Sequence, residues 1–284
     1  MVNSGSAWES FKRELVWRHG DIPQQLGGIR PEPGNYVVDR GEYLLRGEGF
    51  ACHYRPVQGI TVQLDDPARE GEMKLYLAGS VAAAAGAANG LMPVHASAVQ
   101  SGRGVVGFCG PSGAGKSTLA AALQGMGLAL VADDTLMIDP AGTPPLCMPG
   151  HRQLKLWPEG MALAGAGPGE LVSEDYPKYF VGTASSDAQL PQPLAALVML
   201  ERGRETRIEP LAGARKLAAL DDDHHARDLF LRMRGIGREA YFALLAQLAG
   251  AIPVYRFTRP FEPQHFARSL DFIARWLADG PDHG

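Results

Sequence analysis

The feature that most constrains this chain is a glycine-rich loop, defined here as residues 110–118 and reading GPSGAGKST. It fits the pattern G-x-x-x-x-G-K-[ST], in which backbone N–H groups and the start of a helix surround the phosphates of a nucleotide. An apolar run, GVVGFC at 104–109, precedes the loop, and a helix-forming run at 116–126 follows it. Because such a loop joins a buried strand to a helix, this context predicts binding of a nucleoside triphosphate with Mg²⁺ rather than a chance glycine-rich turn.

Residues of the glycine-rich loop have separate expected roles. Glycines permit the backbone angles that turn successive N–H groups toward one anion. Lys116 is expected to reach the β- and γ-phosphates, and Ser117 is expected to ligate Mg²⁺. The residues expected to contact the nucleotide are Gly110, Ser112, Gly113, Ala114, Gly115, Lys116, Ser117 and Thr118.

A pair of acids, Asp133 and Asp134, ends the apolar run LALVADD at 128–134. Neighbouring residues of a strand point to opposite sides, so two adjacent carboxylates can serve two roles. One can hold a metal or its water shell, and the other can accept the proton of an attacking hydroxyl. The alternative is a polar strand end in which one acid caps the next turn.

The order strand, loop, helix, strand predicts a βαβ unit with a buried parallel pairing. Further strands are predicted at 94–99, 194–201, 206–210 and 253–258, and helices at 224–250 and 262–279. The first part of the chain differs, because a short helix at 8–17 precedes short strand-like runs. These runs lie at 36–38, 43–45, 50–54, 60–64 and 73–77, before a small-residue helix at 78–90. We therefore expect a small β-rich domain over 1–90 and an α/β domain over 91–284.

The composition is 45% hydrophobic and 20% charged, with a formal net charge of −4. Without a dominant basic field, neither nucleic acid nor an anionic membrane is an expected partner. The three cysteines are widely spaced and match neither a zinc site nor a disulfide framework. No segment is typical of a secretion signal or a membrane span, so a cytoplasmic location is expected.

Three motifs in order, HASAV from His95, GPSGAGKST and LVADD at 130–134, resemble the catalytic domain of HPr kinase/phosphorylase and its smaller HPr-kinase-like relatives. The same architecture is similar to the nucleotide core of phosphoenolpyruvate carboxykinases. The resemblance implies an α/β fold with a P-loop kinase core beside the small β-rich N-terminal domain.

The resemblance also implies cofactors and roles. ATP and Mg²⁺ are the implied cofactors, held by Lys116 and Ser117. Asp133 is implied as the general base and Asp134 as the metal-side acid, with the order of these two left open. His95 is implied to lie near the attacking hydroxyl.

The chain departs from HPr kinase/phosphorylase in two places. That enzyme's glutamate- and glycine-rich signature, associated with phosphorolysis, has no match here, because the corresponding stretch reads PGHRQLKLWPEG at 149–160. The first 90 residues do not resemble its regulatory domain. Arg152 and Lys178 fall in the later region and are candidate phosphate or substrate contacts, with surface cations as the alternative.

These departures bring the chain closer to the HPr-kinase-like proteins of modified-peptide biosynthesis, including those that phosphorylate lasso-peptide precursors on serine. The expected function is therefore an ATP-dependent serine kinase acting on a peptide or small protein. A small-molecule kinase for a free amino acid or alcohol and a non-catalytic nucleotide-dependent switch are the alternatives. HPr kinase/phosphorylase relatives form hexamers, so a homo-oligomer stays open.

Overall fold

A computed structural model of the chain describes residues 4–149, 154–167, 169–171, 177–181, 190–221 and 225–280. Its strands, in chain order, are β1 Trp17–His19, β2 Tyr36–Asp39, β3 Glu42–Gly47, β4 Phe50–Arg55, β5 Gly59–Leu64, β6 Met92–Val94, β7 Ala96–Ser101, β8 Gly104–Cys109, β9 Leu130–Ala132, β10 Leu136–Asp139, β11 Leu146–Met148, β12 Leu154–Leu156, β13 Tyr179–Val181, β14 Gln192–Arg202, β15 Arg207–Leu211 and β16 Val254–Arg259. Its helices are α1 Ser4–Glu14, α2 Glu70–Tyr76, α3 Ala82–Ala88, α4 Lys116–Gly125, α5 Pro158–Ala164, α6 Gly213–Leu220, α7 His225–Arg234, α8 Arg238–Ala251 and α9 Phe266–Asp279.

The described residues fall into two compact units. They contain both helices and strands, and the strands form more than one sheet, so the fold is mixed α/β. One unit lies within 1–93, 137–142 and 223–244, and the other within 94–136, 143–222 and 245–284. The expected boundary after residue 90 lies close to the end of the first segment. The two later segments of the first unit differ from the expected division, because a local pattern does not report where a distant helix packs.

The first unit is built on a five-stranded sheet in the order β1-β5-β4-β3-β2. Strands β2 to β5 form an antiparallel meander, and β1 pairs in parallel with β5. Helix α3, made of alanine and glycine, packs against α7. Small side chains permit this close approach of two helices, which explains the run of alanines.

The expected strand at 73–77 is wrong, since these residues belong to α2 and to the π-helical turn Leu77–Val81 that follows it. Met73 and Leu77 are both buried and are one helical turn apart. Glu70 and Glu72 lie in the first turn of α2, where acids favour a helix. A run this short satisfies both the strand and the helix period, and packing decided between them.

The sheet of the second unit contains β15-β16-β14-β8-β7-β9 as successive neighbours, with β11 against β14. Strands β8, β14 and β16 run parallel, whereas β7 is antiparallel to both β8 and β9. The predicted β8 and β9 therefore do run in the same direction, but their expected direct pairing is wrong. Strand β7 lies between them, because the crossover through α4 is long enough to skip one strand position.

One apolar cluster joins the helices of the second unit to its sheet. Helices α4 and α9 contribute Leu119, Leu123, Ile273 and Trp276, which pack with Phe108 of β8 and its neighbours. The predicted strand at 104–109 and helix at 116–126 are confirmed by β8 and α4. The helix expected over 224–250 is two helices, since Gly235, at φ +60°, lies in the break between α7 and α8.

The strand directions bring several chain segments to one edge of this sheet. Strands β8, β9, β14 and β16 all end there, and the antiparallel β7 begins there, with Ala96 opposite Cys109. The glycine-rich loop, the aspartate pair, His95 and Arg259 are attached to these ends. Ligands of open α/β sheets bind beyond the carboxyl ends of the strands, so a binding site is expected at this edge.

Within the part of the chain that the structure describes, none of the helices combines the length and apolar character needed to cross a membrane.

Candidate functional site

The glycine-rich loop connects the end of β8 to the start of α4. Its tip at Ser112 and Gly113 is exposed, whereas Ala114 is buried and Thr118 is half-buried. Gly115 has a φ of +84° and immediately precedes the helix. The first N–H groups of an α-helix have no acceptor within the helix, and its dipole is positive at this end. The loop thus presents donors and positive potential suited to an anion.

Lys116 is buried and lies across the loop that it follows. Its Nζ donates to the carbonyl oxygens of Gly110 at 2.7 Å and Pro111 at 3.2 Å. Both acceptors are neutral, and a phosphate oxygen is a stronger acceptor for an ammonium than a carbonyl is. The side chain is therefore placed where it can transfer a hydrogen bond from the loop to a phosphate.

Asp133 is linked to the glycine-rich loop through Ser97. The Ser97 hydroxyl donates to Oδ1 of Asp133 at 2.6 Å, and its Oγ lies 3.5 Å from Oγ of Ser117. The backbone N–H of Lys155 lies 3.4 Å from Oδ2 of Asp133. Burial raises the pKa of Asp133, and hydrogen bonds from Ser97 and Ser117 oppose that shift. Three side-chain oxygens from β7, α4 and the end of β9 thus form one cluster.

Asp134 forms a separate pair with His95. The backbone around it is a three-residue turn, because the N–H of Thr135 donates to the carbonyl of Asp133 at 2.9 Å and Asp134 has a φ of +72°. A turn of this kind is rare and strained for a residue with a side chain. It points the Asp134 carbonyl at Nδ1 of His95, 2.8 Å away, with the carboxylate Oδ1 at 3.4 Å.

The hydrogen bond to a carbonyl determines the tautomer of His95. A carbonyl oxygen only accepts, so Nδ1 of His95 carries the proton, and in the neutral ring Nε2 has a lone pair. The His95 side chain is 26% exposed and that of Asp134 is 45% exposed. A molecule in solution can therefore reach this pair, in contrast to the buried Asp133.

The two-stranded antiparallel sheet of β12 and β13 contacts α4 through β12, and the short helix α5 also lies against α4. A Cβ on Gly160 of α5 would stand 2.9 Å from Oγ1 of Thr118, so α5 packs tightly on the last residue of the loop. Lys178, a predicted contact, lies with its Nζ 5.5 Å from the ring centre of Trp157. Arg152, the other predicted contact, lies outside the described residues.

The oxygen cluster fits Mg²⁺ by its chemistry. Hydroxyl and carboxylate oxygens, as in Ser117 and Asp133, are the ligands that Mg²⁺ prefers, and one or two protein ligands suffice where substrate phosphates and water complete the shell. Among the described residues, no group of three or more His, Cys, Asp or Glu is placed to hold a metal ion.

Three contributors to this edge were missed by the sequence analysis: the Ser97 hydroxyl, the Lys155 amide and Arg259. Ser97 had a usable signal, since it lies two residues after His95 and alternate residues of a strand share a side. Arg259 had a weaker signal, as a cation that directly follows a predicted strand and precedes a proline. The Lys155 amide is a backbone group and had none.

The chain was compared with known proteins. No protein-family model matches it, and no curated protein sequence matches it. Among solved structures, it is similar to the HPr(Ser) kinase/phosphatase from Coxiella burnetii, with 14% sequence identity and a TM-score of 0.33. The likeness covers 66% of this chain and 99% of that one. At this level of similarity the likeness supports no argument about the site, which rests on the geometry above.

Proposed function

We propose that this protein is an ATP-dependent kinase that transfers the γ-phosphoryl group to a serine hydroxyl of a peptide or small protein. The observation that carries the proposal is the contact of Ser97 with both Asp133 and Ser117, which joins the acidic strand end to the glycine-rich loop. A loop that binds phosphates and a carboxylate held beside its metal-ligating serine are the parts that phosphoryl transfer requires.

In this proposal, the residues of the loop bind and orient the triphosphate. The Lys116 ammonium and the N–H groups at the start of α4 hold the phosphate oxygens. Ser117 and one aspartate would hold Mg²⁺, which offsets negative charge on the phosphates when bound. Positioning and charge stabilisation are the main contributions that a protein makes to this reaction.

The phosphoryl transfer requires one base, which accepts the proton of the serine hydroxyl. The serine oxygen forms a bond to the γ-phosphorus, the bond from that phosphorus to the β–γ bridging oxygen breaks, and ADP leaves. The hydroxyl proton passes to a carboxylate or imidazole at the acceptor side. The contact of Asp133 with Ser117 favours Asp133 as the metal-side acid, and the accessible His95–Asp134 pair is then on the acceptor side. This order is the reverse of the one implied by the sequence resemblance.

A macromolecular acceptor is supported by the exposure of the acceptor-side pair. A serine on a peptide can reach Asp134 at the surface without entry into a closed cavity. The resemblance to kinases of modified-peptide biosynthesis makes a short ribosomal precursor peptide, such as a lasso-peptide precursor, the specific acceptor that we propose.

The test is to incubate the purified protein with ATP and Mg²⁺ and, separately, a panel of serine-bearing precursor peptides, HPr and free serine. Mass spectrometry would detect an added phosphoryl group, and Lys116→Ala is the control, expected to be folded and inactive. Phosphorylation of a peptide serine by the wild type alone supports the proposal. Phosphorylation of free serine alone would make the protein a small-molecule kinase, and ATP binding without turnover of any acceptor would favour a nucleotide-dependent switch.

A further inference from the structure

Arg259 is a buried cation next to the glycine-rich loop. It is the last residue of β16, is 4% exposed, and lies at the edge of the sheet where the loop begins. Its guanidinium lies against two rings, with its central carbon 4.7 Å from the centre of Phe261 and 5.7 Å from that of Phe266. Among the residues that the structure describes, it forms no ion pair with a carboxylate.

A buried charge without an opposite charge is costly, so its hydrogen bonds are informative. Nη2 of Arg259 donates to the carbonyl of Ala114 at 3.0 Å, and Nη1 donates to the carbonyl of Pro260 at 3.3 Å. Its Nε has no acceptor within the described part of the chain. Burying one cation without a partner of opposite charge costs on the order of several kcal/mol. Of the hydrogen bonds that the Arg259 side chain forms among the described residues, the one to a distant segment is the bond to the loop.

The bond to Ala114 determines the direction of a peptide plane. In a trans peptide, the C=O of one residue and the N–H of the next point in opposite directions. Holding the Ala114 carbonyl toward Arg259 therefore turns the N–H of Gly115 to the opposite side of the loop. A phosphate-binding loop needs that N–H to point to its concave side.

Gly115 and Arg259 are also matched in shape. A Cβ on residue 115 would stand 2.6 Å from Nη2 of Arg259, and the φ of +84° is itself unfavourable for a side chain. The guanidinium thus occupies the volume that a side chain at 115 would need. Glycine at 115 permits both the turn of the loop and the approach of the arginine.

We propose that Arg259 is a positioning residue, which holds the Ala114–Gly115 peptide plane so that the loop is preorganised for a nucleoside triphosphate. This inference rests on the proposed function only as far as nucleotide binding, and requires no phosphoryl transfer. Preorganisation raises affinity because the loop is not ordered at the moment of binding.

The experiment compares nucleotide affinity with stability for Arg259→Met and Arg259→Lys. The dissociation constant for ATP with Mg²⁺, measured by calorimetry, should rise about ten- to a hundredfold in Arg259→Met, as for loss of a hydrogen bond from a charged donor. Arg259→Lys keeps the charge but lacks the planar guanidinium, and should recover part of the affinity. The melting temperature measured without nucleotide should change little, so that the loss of folding free energy is much smaller than the loss of binding free energy.

Arg202→Met is the matched control. Arg202 ends the neighbouring parallel strand opposite Arg259, but it is exposed and paired with Glu262 at 2.7 Å. Its removal should leave ATP affinity unchanged.

The outcomes separate the two proposals. Wild-type affinity in a folded Arg259→Met variant would overturn the positioning role and leave the kinase proposal intact. If Arg259→Met fails to fold, Arg259→Lys decides: normal stability with weakened ATP binding supports the role, and wild-type affinity contradicts it. A wild-type protein that binds no ATP would overturn the proposed function, and the positioning role with it.

Discussion

The two adjacent aspartates have different surroundings, although they are chemically identical. Asp133 is buried and accepts a hydrogen bond from Ser97, whereas Asp134 is half-exposed in a strained turn. A positive φ at a non-glycine residue costs about 1–3 kcal/mol and persists only where the surrounding structure enforces it. At Asp134 this turn directs the carbonyl to His95. The strain is consistent with a functional rather than a structural role for the pair.

Kinetics of Asp133→Asn and Asp134→Asn will separate the two roles. If Asp134 lies on the acceptor side, Asp134→Asn should lower kcat by about 10²- to 10⁴-fold with little change in the KM for ATP. Asp133→Asn should instead raise the Mg²⁺ concentration needed for half-maximal rate. The exposed Asp271→Asn is the control. The reverse result would restore the order implied by the sequence resemblance, and near-normal rates in both variants would remove the carboxylates from the reaction.

Burial of Asp133 also predicts a pH dependence of stability. Its folded-state pKa is raised by desolvation, so the folded state binds the proton more tightly than the unfolded state does. The stabilisation of the protonated form is fully present below the unfolded pKa, about 3.9, and is lost as pH rises through the folded pKa.

The melting temperature of the wild type minus that of Asp133→Asn should therefore fall as pH is raised from about 4. The scan is made without nucleotide and Mg²⁺, because a bound cation would favour the ionised carboxylate. A difference that stays constant or increases with pH would contradict the assignment of a raised pKa.

At the scale of elements, β8 and β14 determine where the glycine-rich loop starts. They pair in parallel from Val105 opposite Leu194 to Cys109 opposite Met199, with an irregularity between Leu194 and Ala196. Gly104 begins β8 at a φ of +128°. A Cβ there would stand 2.6 Å from the carbonyl oxygen of Pro193, so β14 approaches the backbone of β8 closely.

Gly104→Ala should lower the free energy of unfolding by about 2 kcal/mol or more, because it combines an unfavourable φ with a clash against backbone. Gly102→Ala is the matched control in the same connection, since a Cβ at Gly102 has no atom within 4 Å and its φ is not positive. Chemical denaturation of both variants provides the measurement. Equal free energies of unfolding for the two variants would show that β14 can move away from residue 104 of β8 without a loss of stability.

At the scale of the whole molecule, the first unit is assembled from distant parts of the chain. Helix α7, more than a hundred residues after the five-stranded sheet of its unit, packs on α3. It contributes Leu229, Phe230 and Met233 to the buried core, and Arg234 donates to the carbonyl of Ala88 at 3.4 Å. Each such apolar side chain contributes about 1.5–3 kcal/mol when buried.

A chain that begins at Val94 should therefore not behave as an independent domain. Removal of α3 exposes the apolar side chains of α7, so the truncated protein should bind a hydrophobic dye and aggregate on size-exclusion chromatography. The 284-residue chain is the control. A monomeric truncated protein with a cooperative melting transition would show that α7 does not need the first unit.

Much of the candidate site was predictable from sequence, because its signals are local. The glycines, Lys116 and Ser117 lie between an apolar run and a helix-forming run, and this context alone predicted β8 and α4. The aspartate pair followed from its place at the end of an apolar run. The strand predicted at 73–77 failed because five residues satisfy two periodicities.

Local patterns were enough to predict the order of strand, loop, helix and acidic strand end, since each depends on residues within about two turns or one strand of its neighbours. The distant groups that support the loop could be identified only from the three-dimensional structure. Ser97 reaches Ser117 across 20 residues of chain, and Arg259 reaches Ala114 across 145. These contacts exist because β7 and β16 take particular places in the sheet, and strand order depends on the packing of the whole core rather than on any local pattern.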